Sequence, residues 1–136
     1  MIYFLFDLDD TLIIHDHGRH LNYEMIQPDY RLNNLLSRIR GESHIYTNGT
    51  AGHALECIER MNIKHNFTKI YSRDTLPFMK PDFRSFKVVQ GDIQRNYNDT
   101  FFFFDDLLEN LKIAKSLGWI TFWIHPDYME ARNYPF

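Results

Sequence analysis

Along this chain, short apolar runs alternate with segments whose apolar residues recur every three or four positions. The first run, Ile2 to Leu8, predicts a strand, and four more follow at Ser43 to Thr47, Lys69 to Ser72, Phe101 to Phe104 and Trp119 to Ile124. Between them lie helix patterns. Pro28 marks a helix start, Leu32, Leu35, Leu36 and Ile39 form one apolar stripe, and Gly41 is a stop. A second helix carries Ala54, Leu55, Ile58 and Met61. A third, Asp82 to about Gln90, carries Phe83, Phe86 and Val89, and a fourth runs from Leu107 to Leu117 before Gly118. The Phe101 to Phe104 run is apolar at every position, which predicts a central strand buried on both faces.

Strands alternating with helices predict an α/β fold: a central parallel sheet with helices on both faces, a Rossmann-like three-layer sandwich. No repeat, low-complexity stretch or linker interrupts the pattern, so residues 1–136 are expected to form a single domain.

Acidic pairs close two of these strands. Asp7 and Asp9 end the first, and in an extended strand such positions point to the same side, with Leu8 between them facing the core. Asp105 and Asp106 end the Phe-rich strand. In parallel sheets, ligands bind outside the carboxyl ends of the strands. If the two ends meet, four carboxylates converge. Like charges about 4 Å apart cost about 4 kcal/mol per pair at an effective dielectric near 20, so such a cluster needs raised pKa values or a hard divalent cation, and magnesium is the expected ion.

Composition and charge narrow the remaining classes. The chain is 44% hydrophobic, enough for one core. No basic leader, cleavage site or apolar stretch of spanning length is seen, so neither a membrane partner nor targeting is expected. The single cysteine, Cys57, fits a reducing cytoplasm and reads as a small buried helix residue. A net charge of −3 gives no footprint for sequence-independent nucleic-acid binding.

Four motifs in order resemble those of the haloacid dehalogenase superfamily of phosphohydrolases, and the likeness covers nearly the whole chain. Asp7-Leu8-Asp9-Asp10-Thr11 matches the first motif, Thr47 at the end of its strand the second, Lys80 before Pro81 the third, and Asp105-Asp106 with Asn110 the fourth. The resemblance implies that Asp7 is a nucleophile forming an aspartyl-phosphate, and that Asp9 is a general acid and base. An aspartate at the second position favours phosphate esters over the dehalogenase and phosphonate branches. The implied metal ligands are Asp106 directly, Asp105 directly or through water, Asp7, and the main-chain carbonyl of Asp9. Thr47, Asn48 and Lys80 are the implied phosphate contacts, with the helix start after Gly49 and Thr50 offering N–H groups to an anion. Lys80 would also hold Asp7 ionised. Asn110 is expected to face back towards Asp106. Leu107 departs from the serine often found after the metal-binding aspartate.

Relatives with small substrates commonly insert a cap domain. Here about thirty residues separate Thr11 from Ser43 and about twenty-five separate Lys80 from Asp105, which leaves no room for one. Only a flap at about residues 13–26 is expected above Asp7. An open site suits a phosphorylated macromolecule, unless a neighbouring subunit in an oligomer forms the lid. The stretch around Lys80-Pro81-Asp82 and from Asp105 to Lys115 also resembles the pyrimidine-nucleotidase-like branch, which points to a nucleotide. The flap holds His15, Asp16, His17, Arg19 and His20, and reads as a solvated loop rather than a second metal site, from which His17, Arg19 or His20 could touch substrate. The tail with Tyr128, Tyr134 and Phe136 is expected to pack on the body.

The leading expectation is a magnesium-dependent phosphomonoester hydrolase. A nucleotidase acting on a nucleoside monophosphate and a non-catalytic phosphate-binding module of the same fold stand as alternatives. The non-catalytic reading is disfavoured because a binding module needs no nucleophile. A phosphotransferase is disfavoured by the missing lid, since a phosphoenzyme must be shielded from water.

Overall fold

Five parallel strands form one sheet in the order β3-β2-β1-β4-β5. They are β1 (Ile2–Phe6), β2 (Glu42–Tyr46), β3 (Phe67–Tyr71), β4 (Thr100–Asp105) and β5 (Ile120–Trp123). The helices are α1 (Tyr30–Ser37), α2 (Ala51–Arg60), α3 (Phe83–Ile93) and α4 (Leu108–Ser116). This computed structural model describes residues 1–15 and 22–125. The expectations for Asp16, His17, Arg19, His20, Tyr128, Tyr134 and Phe136 fall outside the described residues. Among the described residues, no helix is long and apolar enough to cross a membrane.

Strand alternation divides the core in two. Tyr3, Leu5, Tyr46, Phe101 and Phe103 pack with Phe86, Val89 and Ile93 of α3 and with Leu111 and Ala114 of α4. On the other face, Phe6, Leu8 and Ile45 pack with Leu36 of α1 and with Ala54, Cys57 and Ile58 of α2. The result is the expected three-layer α/β sandwich. Each helix begins on a polar cap where the sequence supplies one: Asp29 for α1, Thr50 for α2 and Asp82 for α3. Gly118, at φ +86°, ends α4 in the left-handed conformation that glycine adopts without a Cβ penalty.

Several expectations shift. Leu35, Leu55 and Phe83 are 57%, 37% and 47% exposed, because neighbours one position apart on a helix lie about 100° around its axis and cannot all face the sheet. The Phe-rich strand is not buried evenly. Phe101 and Phe103 lie under α3 and α4, whereas Phe102 and Phe104 are half-buried. They stack on aromatic neighbours across the strands instead: Phe4 on Phe102, Phe6 on Phe104 and Phe104 on Phe122, at centroid distances of 5.1, 4.7 and 4.6 Å. The buried side chains of α1 and α2 pack over β1 and β2, and neither Phe102 nor Phe122 joins that core.

The segment between β1 and β2 holds, among the described residues, a 3-10 turn at Tyr23–Met25 and α1. Between Lys80 and β4 lies α3. The chain steps from β1 outward through β2 to β3, then crosses back to β4 on the opposite side of β1. The strand order therefore reverses between β1 and β4, the position where open α/β sheets hold their ligands. Asp7 follows β1 there, and Asp105 ends β4.

Candidate active site

Asp7 is fixed at the switch point by its own backbone, whose N–H donates to the Phe104 carbonyl at 2.9 Å. Its carboxylate is shared between two donors. Lys80 Nζ reaches Oδ1 at 3.1 Å, and Thr11 Oγ1 donates to Oδ2, also at 3.1 Å. The ammonium group makes two further bonds, to the Tyr46 carbonyl and to Asp105 Oδ2, both at 2.8 Å. All three ammonium hydrogens are thus used, and the rings of Tyr46 and Phe103 lie 4.8 and 5.4 Å away. Burial alone would lower the Lys80 pKa, but Asp105 and Asp7 outweigh it and hold the group above its ordinary value. Lys80 was expected to grip the phosphoryl group directly. With every N–H committed, its influence runs through its charge and through Asp7.

Asp105 is fully enclosed. Oδ2 also accepts from Asn110 Nδ2 at 3.1 Å, and Oδ1 accepts from the Leu107 N–H at 2.9 Å. Asn110 therefore faces back to Asp105 rather than to Asp106. Leu107 opens α4 without a side-chain cap, so Asp105 takes over part of that task.

Asp106 completes a three-carboxylate cluster. One oxygen each of Asp7, Asp105 and Asp106 lies within 4.8 Å of the others. Burial, a hydrogen bond with Asp7 and the charges of Asp7 and Asp105 push the Asp106 carboxyl up to about 8. Burial also raises Asp7 despite Lys80 beside it. Both shifts share one cause, negative charge crowded into a partly dehydrated corner, which a bound cation relieves. The donor set, hard carboxylate oxygens from Asp7, Asp105 and Asp106, fits magnesium. The Asp9 side chain stands outside the cluster.

Thr47 continues β2, its N–H donating to the Tyr71 carbonyl at 2.8 Å, and only 2% of the residue is exposed. Its Oγ1 accepts from the Gly49 N–H at 3.0 Å, so its own hydroxyl hydrogen is available to a ligand. Asn48 has a different task from the one expected. Its amide donates to the Lys80 carbonyl at 2.9 Å and its Oδ1 accepts from the Lys80 N–H at 3.0 Å, a two-point brace on the lysine loop. The start of α2 is also less open to an anion than the sequence implies. The Ala51 N–H goes to Asp74 Oδ1 at 2.9 Å and the His53 N–H to Thr50 Oγ1 at 3.1 Å.

No protein-family model and no curated protein matches this chain. What can be said of the site therefore rests on its geometry.

Asp9 departs from the expected shared face with Asp7. Strand β1 ends at Phe6, and the Leu8 carbonyl accepts from the N–H groups of Thr11, Leu12 and Ile13, at 3.2, 2.9 and 3.1 Å. Asp10 takes the left-handed conformation, φ 62°, that closes this turn. Strand alternation does not extend past that point. Asp9 instead meets two imidazoles: His15 Nε2 at 2.6 Å from Oδ1, and His53 Nε2 at 2.9 Å from Oδ1 and 3.2 Å from Oδ2. Tyr23 Oη lies 2.7 Å from His53 Nδ1. Sequence reading missed His53 and Tyr23 altogether and placed His15 only in a solvated flap. No local signal marks them, because a histidine in the first turn of a helix and a tyrosine in a loop are ordinary polar positions until the fold brings them together. Cys57 is the small buried helix residue expected, its thiol pushed up to about 11 by burial.

Proposed function

We propose that the protein is a magnesium-dependent phosphomonoesterase of the haloacid dehalogenase type. The observation that carries this reading is Lys80 bridging Asp7 and Asp105 at the sheet's switch point, beside an Asp106 whose carboxylate lies within 4.8 Å of both. Asp7, Asp106 and the Asp9 main-chain carbonyl would hold the ion, with Asp105 directly or through water. Magnesium would supply charge neutralisation for the carboxylates and for the phosphoryl oxygens.

The chain's own residues account for the rest. Asp7, anchored through Oδ1 by Lys80, attacks phosphorus; a carboxylate–phosphorus bond forms as the bond to the ester oxygen breaks. Asp9 gives its proton to the departing alkoxide. It then takes a proton from the water that cleaves the aspartyl-phosphate, which releases inorganic phosphate and restores both carboxyl groups. Thr47 donates to a phosphoryl oxygen. Lys80 keeps positive charge next to the transferring group without leaving its three partners.

The short spacings between the motifs, which leave no room for a cap domain, suit a phosphate carried on a large molecule or a nucleotide. A small generic ester gains little binding energy remote from the phosphate, so its turnover should be weak with a high KM. Phosphate release from p-nitrophenyl phosphate with and without magnesium tests the reading, followed by a panel of phosphoproteins, nucleoside monophosphates and oligonucleotide ends. Turnover that resists EDTA would overturn the metal assignment. Phosphate binding without turnover on any substrate would instead favour a non-catalytic module.

A further inference from the structure

Asp9 must change its protonation state twice per cycle under the reading above, yet the described residues show its carboxylate pinned rather than free. Two imidazoles contact it, and they do so differently. His15 meets only Oδ1, at 2.6 Å, and a single contact lets the carboxylate pivot about that oxygen. His53 reaches both oxygens, at 2.9 and 3.2 Å, and stops the pivot. His53 is itself held at both ends: Thr50 caps its backbone N–H at 3.1 Å, and Tyr23 lies 2.7 Å from Nδ1. A carboxylate oxygen accepts, so His53 offers Nε2–H to Asp9, which leaves Nδ1 to accept the phenol hydrogen of Tyr23. Burial raises the Tyr23 pKa, which keeps that phenol a donor.

Gly49 shows where the remaining oxygen looks. A Cβ added there would lie 3.2 Å from His53 Cδ2, 3.4 Å from Thr47 Oγ1 and 3.7 Å from Asp9 Oδ2. Asp9 Oδ2 and the Thr47 hydroxyl thus border the same small space, on which a Cβ at position 49 would press through His53.

Resting on the phosphatase reading, we propose that His53, oriented by Tyr23, is a positioning residue for Asp9. It holds Oδ1 by Nε2–H so that Oδ2 carries the proton to the leaving group beside Thr47. The bond made to Asp7 and the bond broken to the ester oxygen are unchanged; His53 neither gains nor loses a proton over the cycle.

The consequence is a dependence on the leaving group. An alkoxide needs a well-placed acid to depart, whereas a dinitrophenolate leaves without one, and kcat/KM reports the steps up to that departure. The experiment compares propyl phosphate with 2,4-dinitrophenyl phosphate for the wild type, Asp9→Asn, His53→Ala, His53→Gln, Tyr23→Phe and Asp7→Asn, with magnesium present and melting temperatures measured on each. His53→Ala should lose about thirtyfold or more in kcat/KM on the propyl ester and less than about threefold on the dinitrophenyl ester, a milder copy of the Asp9→Asn profile. His53→Gln, which keeps a donor near the position of Nε2, should recover most of the propyl-ester loss, and Tyr23→Phe should fall in between. His53→Ala should also show a burst of dinitrophenolate, because Asp9 must then activate water on the phosphoenzyme. Equal loss on both esters, or no loss on the propyl ester, overturns the positioning role while an active wild type and a dead Asp7→Asn leave the phosphatase reading standing. A wild type inactive on both esters overturns the two together.

Discussion

Asp7 and Asp9 are two residues apart, and their surroundings differ in kind. The Asp7 side chain is 11% exposed and bonded to a lysine that is itself 1% exposed, while the Asp9 side chain is 36% exposed and bonded to imidazoles. The first environment is built from full charges with little water to screen them, which suits a group that must stay ionised and fixed. The second uses neutral-capable donors near solvent, which suits a group that must exchange protons with a leaving group and with water. A difference of two positions becomes a difference of role because β1 ends before Asp7 and the turn at Leu8 to Asp10 brings the Asp9 carboxylate to His53 in the first turn of α2.

The largest effects should come from breaking the Asp7 side. Asp7→Asn removes the attacking oxygen anion with little change in volume, so turnover should fall by about a thousandfold or more on every ester while the fold persists. Steady-state assays with circular dichroism check this, and activity within about tenfold of wild type would refute the nucleophile. Lys80→Met should be as damaging to activity and far worse for stability. It leaves Asp7 and Asp105 buried without their cation, a loss of about 3–5 kcal/mol. His53→Ala, by contrast, unpins a carboxylate that water can still solvate and should cost little stability. Urea denaturation of the two variants side by side tests that ordering.

Metal binding should separate the two aspartates as well. Asp106, pushed up to about 8 in the folded protein against an ordinary value near 4, binds its proton more tightly folded than unfolded. Its contribution to stability is therefore full below about pH 4 and is lost as pH rises through about 8. Magnesium competes with that proton, so its stabilising effect should grow from pH 6 to pH 8. At a hundred times its dissociation constant, the ion should add about 3 kcal/mol. Melting curves with and without magnesium read this directly. Asp106→Asn should abolish the shift and Asp9→Asn should keep it, since the Asp9 side chain stands outside the three-carboxylate cluster. A melting temperature indifferent to magnesium at pH 8 would count against the metal site.

The Asp7 side was legible in the sequence and the Asp9 side was not, for a physical reason. In a parallel sheet ligands sit at the carboxyl ends of the strands, so Asp7 and Asp105-Asp106 could be placed at strand ends from the strand pattern, to meet if their strands were neighbours, as β1 and β4 are; Thr47 joined them through the resemblance. Lys80 joined them through its motif. The bond from Asp9 to His53 has no such rule behind it; it depends on how far the first turn of α2 leans over the Leu8 turn, which is settled by Leu8, Leu12, Ala54 and Ile58 packing in one core. Hydrogen-bond saturation was equally invisible. Nothing in Lys80-Pro81 or Thr47-Asn48 shows that all three lysine hydrogens are taken or that Asn48 braces the lysine loop. The sheet itself read well, apart from the half-buried Phe102 and Phe104, where covering the second face depended on helices that lie over the other strands.

The smallest effect tests how much of the Asp7 arrangement is needed. Thr11 donates to Asp7 Oδ2 at 3.1 Å, the only contact in this set made by an uncharged side chain of the Leu8 turn. Thr11→Val keeps the shape and removes the hydroxyl. Oδ1 stays anchored by Lys80, so the carboxylate keeps its ionisation and its main restraint, and only its rotation is loosened. A hydrogen bond to a charged group contributes about 1.5–3 kcal/mol when wholly lost, but magnesium held by Asp7 would replace most of it. We therefore expect a fall in kcat/KM of less than about tenfold, equal on alkyl and aryl esters because the leaving group is not involved, and a wider gap in melting temperature from wild type without magnesium than with it. A Thr11→Val enzyme as inactive as Lys80→Met, or one whose loss follows the leaving group as in His53→Ala, would show that Asp7 and Asp9 do not divide the work as their surroundings imply.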